Sequence, residues 1–459
     1  MSTSVTPTTG TADGGPSAAP AGNPRGRVVV ASLIGTSIEF YDFYIYATAA
    51  SLVFPALFFP NAQDPTTQLL SSFAVFGVAF VARPVGSVLF GHFGDRIGRK
   101  TTLVASLLTM GIATILIGLI PAASTPGWAL AAPAVLVLCR FAQGLGLGGE
   151  WSGAALLATE NAPQGKRAIY GTFPQLGAPI GFILANTVFI ALSTALSPEQ
   201  FADWGWRIPF LASAILVIIG LWVRLSLLET PAFRKVIEAE AVTKVPVASV
   251  FRTSWRQIVS GTFIMLATYV LFYLMTTFTL NYGVAPTEPT DGSPIGLGYE
   301  KIDFLWMLII GVVFFGVFTL VSGPMAERFG RRKHLIWVTV AIILFGGSFV
   351  PLFAAGDVGV QTLLILGFTL MGLTFGPMAA VLPELFPSNV RYTGSGVAYN
   401  LSSVLGAAVA PFIAVWLWAQ AGSPVLVGVY LSAMAVITLV ALLLTRETRD
   451  VEYEENVAA

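Results

Sequence analysis

Long apolar stretches recur from Val28 to Leu444, and polar residues collect in the short gaps between them. A helix needs roughly 20 mostly apolar residues to cross a bilayer. Twelve stretches qualify, at about 28–55, 68–92, 101–121, 129–155, 168–193, 207–228, 257–282, 301–323, 335–354, 361–383, 393–418 and 424–444. The pattern predicts an all-α membrane protein with twelve transmembrane helices. Residues 1–24 are rich in Ser, Thr, Pro, Gly and Ala and lack an apolar core, which predicts a disordered tail and not a cleaved signal peptide.

Two motifs occur twice. Gly91-x3-Asp95-Arg96-x-Gly98-Arg99-Lys100 follows the second stretch, and Gly323-x3-Glu327-Arg328-x-Gly330-Arg331-Arg332 follows the eighth, 232 residues later. Glu160-x2-Pro163-x3-Arg167 and Glu384-x2-Pro387-x3-Arg391 follow the fourth and tenth, 224 residues apart. Two different motifs at nearly one offset imply duplication. The expected organisation is a six-helix half at 25–228, an inter-half loop at 229–256, a second half at 257–445 and a short tail at 446–459. Two parallel repeats related by an axis along the membrane normal are a transporter architecture, with the site between them near mid-membrane.

Cations orient the bundle. Twenty Lys and Arg residues lie in even-numbered loops or at the two ends, against Arg207 and Lys301 on the opposite side. Both termini are therefore expected in the cytoplasm, with the chain in the cell membrane.

Composition agrees: 55% of residues are hydrophobic and 10% charged, against about 25% charged in soluble domains. The formal net charge is zero, which gives no reason to expect a nucleic acid partner. The one cysteine, Cys139, excludes an intrachain disulfide, and with the isolated His92 and His334 it makes no metal site. The Gly144–Gly149 run lacks the Lys–hydroxyl ending of a phosphate loop. No nucleophile–base arrangement appears, so the chain reads as a non-enzyme without cofactor or metal.

The paired loop motifs resemble those of the major facilitator superfamily. Finer signatures resemble its metabolite:proton symporter family: Glu39-Phe-Tyr-Asp42 in helix 1, Arg83-Pro84-x-Gly86 in helix 2, Arg140-Phe-Ala-Gln143 through Glu150-Trp151 in helix 4, and Glu229-Thr-Pro231 after helix 6. The resemblance runs from about 28 to 449. It implies two pseudo-symmetric six-helix halves and uptake of a small organic acid or a zwitterion such as proline or betaine together with a proton; a proton-uncoupled facilitator or an exporter is the alternative, and the chain is expected to act as a monomer. It also implies a gating role for the loop motifs: Asp95, Arg96, Arg99, Glu327 and Arg331 would latch one state, joined by Glu160, Arg167, Glu384 and Arg391.

Charge inside a membrane is costly, about 2.5–3.5 kcal/mol on insertion scales, and such residues face a cavity or a partner. Glu39, Asp42, Arg83, Arg140 and Glu150 are the deep candidates, all in the first half. Glu39 and Asp42 share a helix face. A rise of about 1.5 Å per residue puts Asp42 roughly 20 Å in, near mid-membrane. Asp42 or Glu39 is expected to carry the proton, with Arg140 as switchable counter-ion or as the fork for a substrate carboxylate. Glu150 is expected either in the proton path or paired with Arg83. Gln143, Asn186, Tyr273 and Asn400 are further expected substrate contacts, because amides and phenols orient oxygens without a charge penalty. The glycines at 144 and 148 are expected to serve helix packing.

Overall fold

The computed structural model describes residues 25–61, 65–226, 246–288 and 295–451. The expected N-terminal tail, most of the inter-half loop including Glu229, and the end of the C-terminal tail lie outside them.

Twelve helices cross the bundle, and no strand occurs among the described residues. The first half contains α1 Arg25–Leu52, α2 Pro65–Arg96, α3 Arg99–Leu119, α4 Ala131–Glu160, α5 Arg167–Gln175 continuing as Gly177–Ala195, and α6 Arg207–Leu225. The second contains α7 Trp255–Tyr273 with its extension to Val284, α8 Lys301–Phe329, α9 Arg331–Gly346, α10 Gly356–Glu384, α11 Arg391–Ser403 extended to Ala421, and α12 Val425–Leu444. A short helix, Pro246–Thr253, precedes α7.

Eleven of the twelve are long and apolar enough to span a membrane. The remaining one, α9, has 16 residues and breaks at Gly347 before a short continuation, Phe349–Phe353. The loop motifs are more helical than their polarity suggested. Helix α2 runs through Asp95 to Arg96, and α8 through Glu327 to Phe329. The chain then reverses at Gly98 (φ 115°) and Gly330 (φ 93°). These are left-handed conformations that strain any residue bearing a Cβ, which explains the second glycine of the repeated frame.

Within each half, the central helices meet backbone to backbone. On α4, a Cβ added at Gly144 would lie 2.5 Å from the Ala79 carbonyl oxygen, and one at Gly148 would collide with the Arg83 carbonyl on α2. The second half repeats this seam 228 residues later. A Cβ at Gly372 or Gly376 on α10 would lie 2.5 or 2.6 Å from the Phe315 or Thr319 carbonyl of α8. In a bilayer, where apolar contacts with lipid are as favourable as contacts with protein, such small-residue seams supply the close packing that holds helices together. The expected packing role of Gly144 and Gly148 is thus what the structure shows.

Between the halves, α2 packs on α11 and α5 on α8, a pseudo-symmetric pair of seams. Helices α7 and α11 each carry one π turn, Leu274–Phe278 and Val404–Ala408. Such turns concentrate at functional sites, and the first directly follows Tyr273.

Candidate transport site

The start of α1 and the end of α12 share one face of the bundle, called here the termini face. At this face the motif carboxylates cap helices of the opposite half. Asp95 Oδ1 accepts the Tyr392 N–H at 3.3 Å, and Oδ2 accepts the Thr393 N–H at 3.0 Å and its hydroxyl at 2.7 Å. These N–H groups belong to the first turn of α11, whose exposed donors and dipole favour an anion. Glu327 Oε1 repeats the contact on α5, accepting the Ala168 N–H at 2.7 Å. The first glycine of each motif makes room for it. A Cβ at Gly91 would lie 2.8 Å from Thr393 Cα, and one at Gly323 would lie 2.9 Å from Ile169 Cα. The frame G-x3-[DE] is therefore a cleft one turn before the carboxylate that admits and then caps a helix start.

Arg331, fully buried, ties the second copy down. It donates to Glu327 Oε2 at 2.7 Å and to Glu384 Oε1 at 3.3 Å. Glu384 also accepts the Thr448 hydroxyl at 2.7 Å. Glu447 accepts the N–H groups of Arg331 (2.8 Å) and Arg332 (3.1 Å), capping α9. Arg167 donates to the carbonyl of Val451, so the segment after α12 reaches across to the first half. Arg391 donates from Nε to the Phe386 carbonyl at 3.2 Å, and Glu160, the last residue of α4, is partly buried and engaged. The side chain of Arg99 lies outside the described residues. Arg96 differs from expectation: it is exposed, 3.5 Å from His92 on its own helix, and pairs with no carboxylate among the described residues. The termini face is closed.

Deeper in, Arg83 stands where the halves meet. It is buried, yet its guanidinium donates no hydrogen bond among the described residues. It lies over the rings of Phe43 (5.1 Å) and Phe80 (5.3 Å). The Tyr269, Tyr273 and Tyr399 phenols of the second half and the Glu39 carboxyl fall within its electrostatic range. Glu39 Oε2 and the Tyr44 hydroxyl are likewise buried without partners. Aromatic contacts close the cluster across the halves. Tyr273 packs edge-on to Phe80 with centroids 5.9 Å apart, and Trp151 stacks on Tyr399 at 3.9 Å. Trp151 Nε1 donates to Gln175 at 2.8 Å, and Gln175 donates to the Phe375 carbonyl at 2.7 Å.

Asp42 belongs to a second network, inside the first half. Its Oδ1 accepts the Ser213 hydroxyl at 2.5 Å and its Oδ2 that of Thr114 at 2.9 Å. Gln143 donates to Thr114 at 2.7 Å, and Arg140 donates to Gln143 at 3.0 Å. The expected direct pairing of Asp42 with Arg140 is thus corrected: one threonine and one amide separate them. Arg140 lies in an aromatic box, 4.0 Å from the Tyr46 centroid and 4.9 Å from that of Phe76, with its Nη2 buried and without a hydrogen-bond partner among the described residues. Arg83 also has a buried nitrogen without a hydrogen-bond partner, and three phenols of the second half lie within its electrostatic range against one for Arg140.

Glu150 pairs with Arg224 of α6 and accepts the Ser106 hydroxyl at 2.9 Å. The expected pair with Arg83 is absent, and Arg224 takes its place. Asn400 donates across the halves to the Gly148 carbonyl at 3.1 Å and within its own helix to Gly396 at 2.8 Å. Asn186 donates to Phe182 of its own helix at 2.9 Å. Sequence reasoning missed Tyr44, Thr114, Ser213 and Arg224. The hydroxyl residues carry no signal in an apolar run, and Arg224 read as a loop cation because it ends α6.

Comparison with known proteins agrees with this fold. The sugar (and other) transporter family profile matches residues 28–458. The chain belongs to the sugar (and other) transporter family. An inner membrane metabolite transport protein of Escherichia coli K12 is 58% identical over 429 residues, covering 93% of this chain and 95% of the relative. The shikimate transporter of the same organism is 35% identical over 435 residues, covering 92% and 95%. A solved proton:xylose symporter of the major facilitator superfamily shares the fold, with TM-score 0.77 at 16% identity, covering 94% of this chain and 98% of that one. The protein is a multi-pass membrane transporter of metabolites and not an enzyme.

Proposed function

We propose that this transporter takes up a small carboxylate together with a proton by alternating access. The observation that carries the reading is Arg83, buried between the halves and donating no hydrogen bond among the described residues. A buried arginine left unpaired costs several kcal/mol, and a planar carboxylate matches its donors two at a time. Arg83 has three phenols of the second half, Tyr269, Tyr273 and Tyr399, within electrostatic range, whereas Arg140 has Tyr273 alone and gives donors to Gln143 and the Phe76 carbonyl. One free fork suits a monocarboxylate better than a di- or tricarboxylate. The tyrosines and Gln175 around it are suited to orient hydroxyl or further carbonyl oxygens.

Asp42 is the proton carrier in this reading. It sits among hydroxyl donors with no cation within ion-pair distance among the described residues, so its charge is free to change. Thr114 and Gln143 link it to Arg140, whose packing on α2 leads back to the substrate cluster. In the proposed cycle the halves, 25–228 and 257–445, rock about the central site while the 229–256 loop keeps them joined. Both termini lie in the cytoplasm, as the cation bias indicates, and one chain suffices.

Glu39 favours a second reading. A carboxyl with an unpartnered oxygen beside Arg83 suits the two poles of a zwitterion, and the chain is 33% identical to a proline/betaine transporter of Salmonella typhimurium. The deciding experiment is uptake into proteoliposomes under an inward proton gradient, with internal pH recorded. Hydroxylated monocarboxylates, dicarboxylates, citrate, proline and betaine form the panel. Accumulation of a monocarboxylate with acidification supports the first reading, and accumulation of a zwitterion that needs Glu39 supports the second. Accumulation of a dicarboxylate or of citrate refutes the one-fork argument. Accumulation without acidification refutes proton coupling.

A further inference from the structure

A groove of about 1150 Å³ opens at the termini face between α7 and α12. Its walls are apolar: Val259 and Phe263 from α7, and Val436, Ile437, Val440 and Leu444 from α12. Val259, Val436, Val440 and Leu444 are all exposed on the bundle surface, so the groove faces the lipid and not the transport site. Its mouth holds Arg256 and Arg446. Neither guanidinium makes a hydrogen bond or ion pair among the described residues; Arg256 only flanks the Trp255 ring, at 5.5 Å. Trp255, exposed at the first position of α7, is the residue type that settles at the headgroup level.

The acids of the lining are spoken for. Glu384 is held by Arg331 and Thr448, Glu447 caps α9, and Asp450 pairs with Arg449 at 3.1 Å. The two arginines are thus the lining charges held by no opposite charge or helix start among the described residues, and they stand beside the first turn of α7, whose N-cap residue Ser254 supplies no side-chain bond. Apolar walls open to the acyl region, with unpaired cations at the headgroup level, match one kind of molecule. We infer that the groove binds an anionic phospholipid, its acyl chain along α7 and α12 and its phosphate at Arg256 and Arg446. Because the Thr445–Val451 clasp forms one end of the groove, the bound lipid contacts the segment that bridges to Arg167, and it favours the closed termini face.

The test is native mass spectrometry of the purified full chain titrated with dioleoylphosphatidylglycerol or dioleoylphosphatidylcholine. Phosphatidylglycerol is expected to bind more tightly than phosphatidylcholine. At about 1 kcal/mol per basic residue near an anionic surface, Arg256→Gln with Arg446→Gln is expected to weaken phosphatidylglycerol binding about thirtyfold. Removing two exposed cations elsewhere on the same face, by Arg328→Gln with Lys333→Gln, is expected to leave it unchanged. Val440→Trp, which fills the apolar wall and leaves both charges, is expected to abolish it, and this variant carries the test if the double variant fails to fold. Equal loss in the Arg328/Lys333 control, equal affinity for phosphatidylcholine, or displacement of the lipid by excess inorganic phosphate would overturn the inference.

Discussion

Replacing Asp95 by Asn tests the termini-side latch. Asp95 holds two main-chain N–H groups and one hydroxyl of α11, at 3.3, 3.0 and 2.7 Å. Asn keeps one oxygen acceptor but loses the charge and the second oxygen. A buried carboxylate at a helix start is worth up to about 2 kcal/mol through the dipole, and bonds to a charged acceptor exceed neutral ones by a similar factor. A net loss of about 2 kcal/mol from the closed state shifts the closed-to-open ratio about thirtyfold. Ser152 reports the opening. It is buried on α4 against Ser395 of α11, 3.4 Å away. In a Cys139→Ser, Ser152→Cys background, a water-soluble maleimide is expected to label Cys at that position roughly ten- to thirtyfold faster once Asp95 is Asn, by the same arithmetic. Glu327→Gln is expected to do less, because its Oε1 holds a single N–H and Arg331 stays tied to Glu384. Unchanged labelling in the Asp95 variant, with folded protein, would falsify the latch.

Four other outcomes separate the roles assigned above. Arg83→Lys is expected to raise the KM for substrate by roughly tenfold or more, since a lysine offers no fork, whereas Arg140→Lys is expected to lower thermal stability with a smaller change in KM. Asp42→Asn is expected to retain substrate exchange while losing accumulation against a gradient; retained accumulation removes Asp42 from coupling. Arg224→Met is expected to cost about 3–5 kcal/mol by stranding the buried Glu150, and adding Glu150→Gln is expected to recover most of it, as read by detergent melting curves. Gly148→Ala is expected to destabilise by about 1–3 kcal/mol, because its methyl would collide with the Arg83 carbonyl; an unchanged melting temperature would refute the seam.

Much of the architecture was legible because hydropathy and duplication are one-dimensional signals. The two glycine–carboxylate motifs located both helix-capping contacts between the halves, and Asp95 capping a helix start was readable from the motif itself. The interior was less legible. Arg83 and Arg140 both lie in apolar helices, and choosing between them requires knowing which side of α2 and α4 meets the other half. A helix apolar all round does not encode its own rotation, so the sequence points to Arg140 for the role proposed above for Arg83. Glu150 failed for a related reason: its partner Arg224 sits in the last turn of α6, where a cation looks topogenic. Glu447 was invisible because the helix it caps, α9, begins 116 residues earlier in the chain.

The latch reads main chain more than side chains. Asp95 and Glu327 grip N–H groups that every residue except proline supplies, so these bonds survive substitution at Ala168 and Tyr392, although the bond from the Tyr392 hydroxyl to the Gly149 carbonyl does not. The contact is correspondingly lopsided: a change of one carboxylate removes every bond it holds, whereas the opposing side loses them one at a time, an amide hydrogen or the Thr393 hydroxyl. Screens for constitutively open variants should therefore return Asp95 and Glu327 in many substituted forms, and residues 168, 392 and 393 chiefly as prolines.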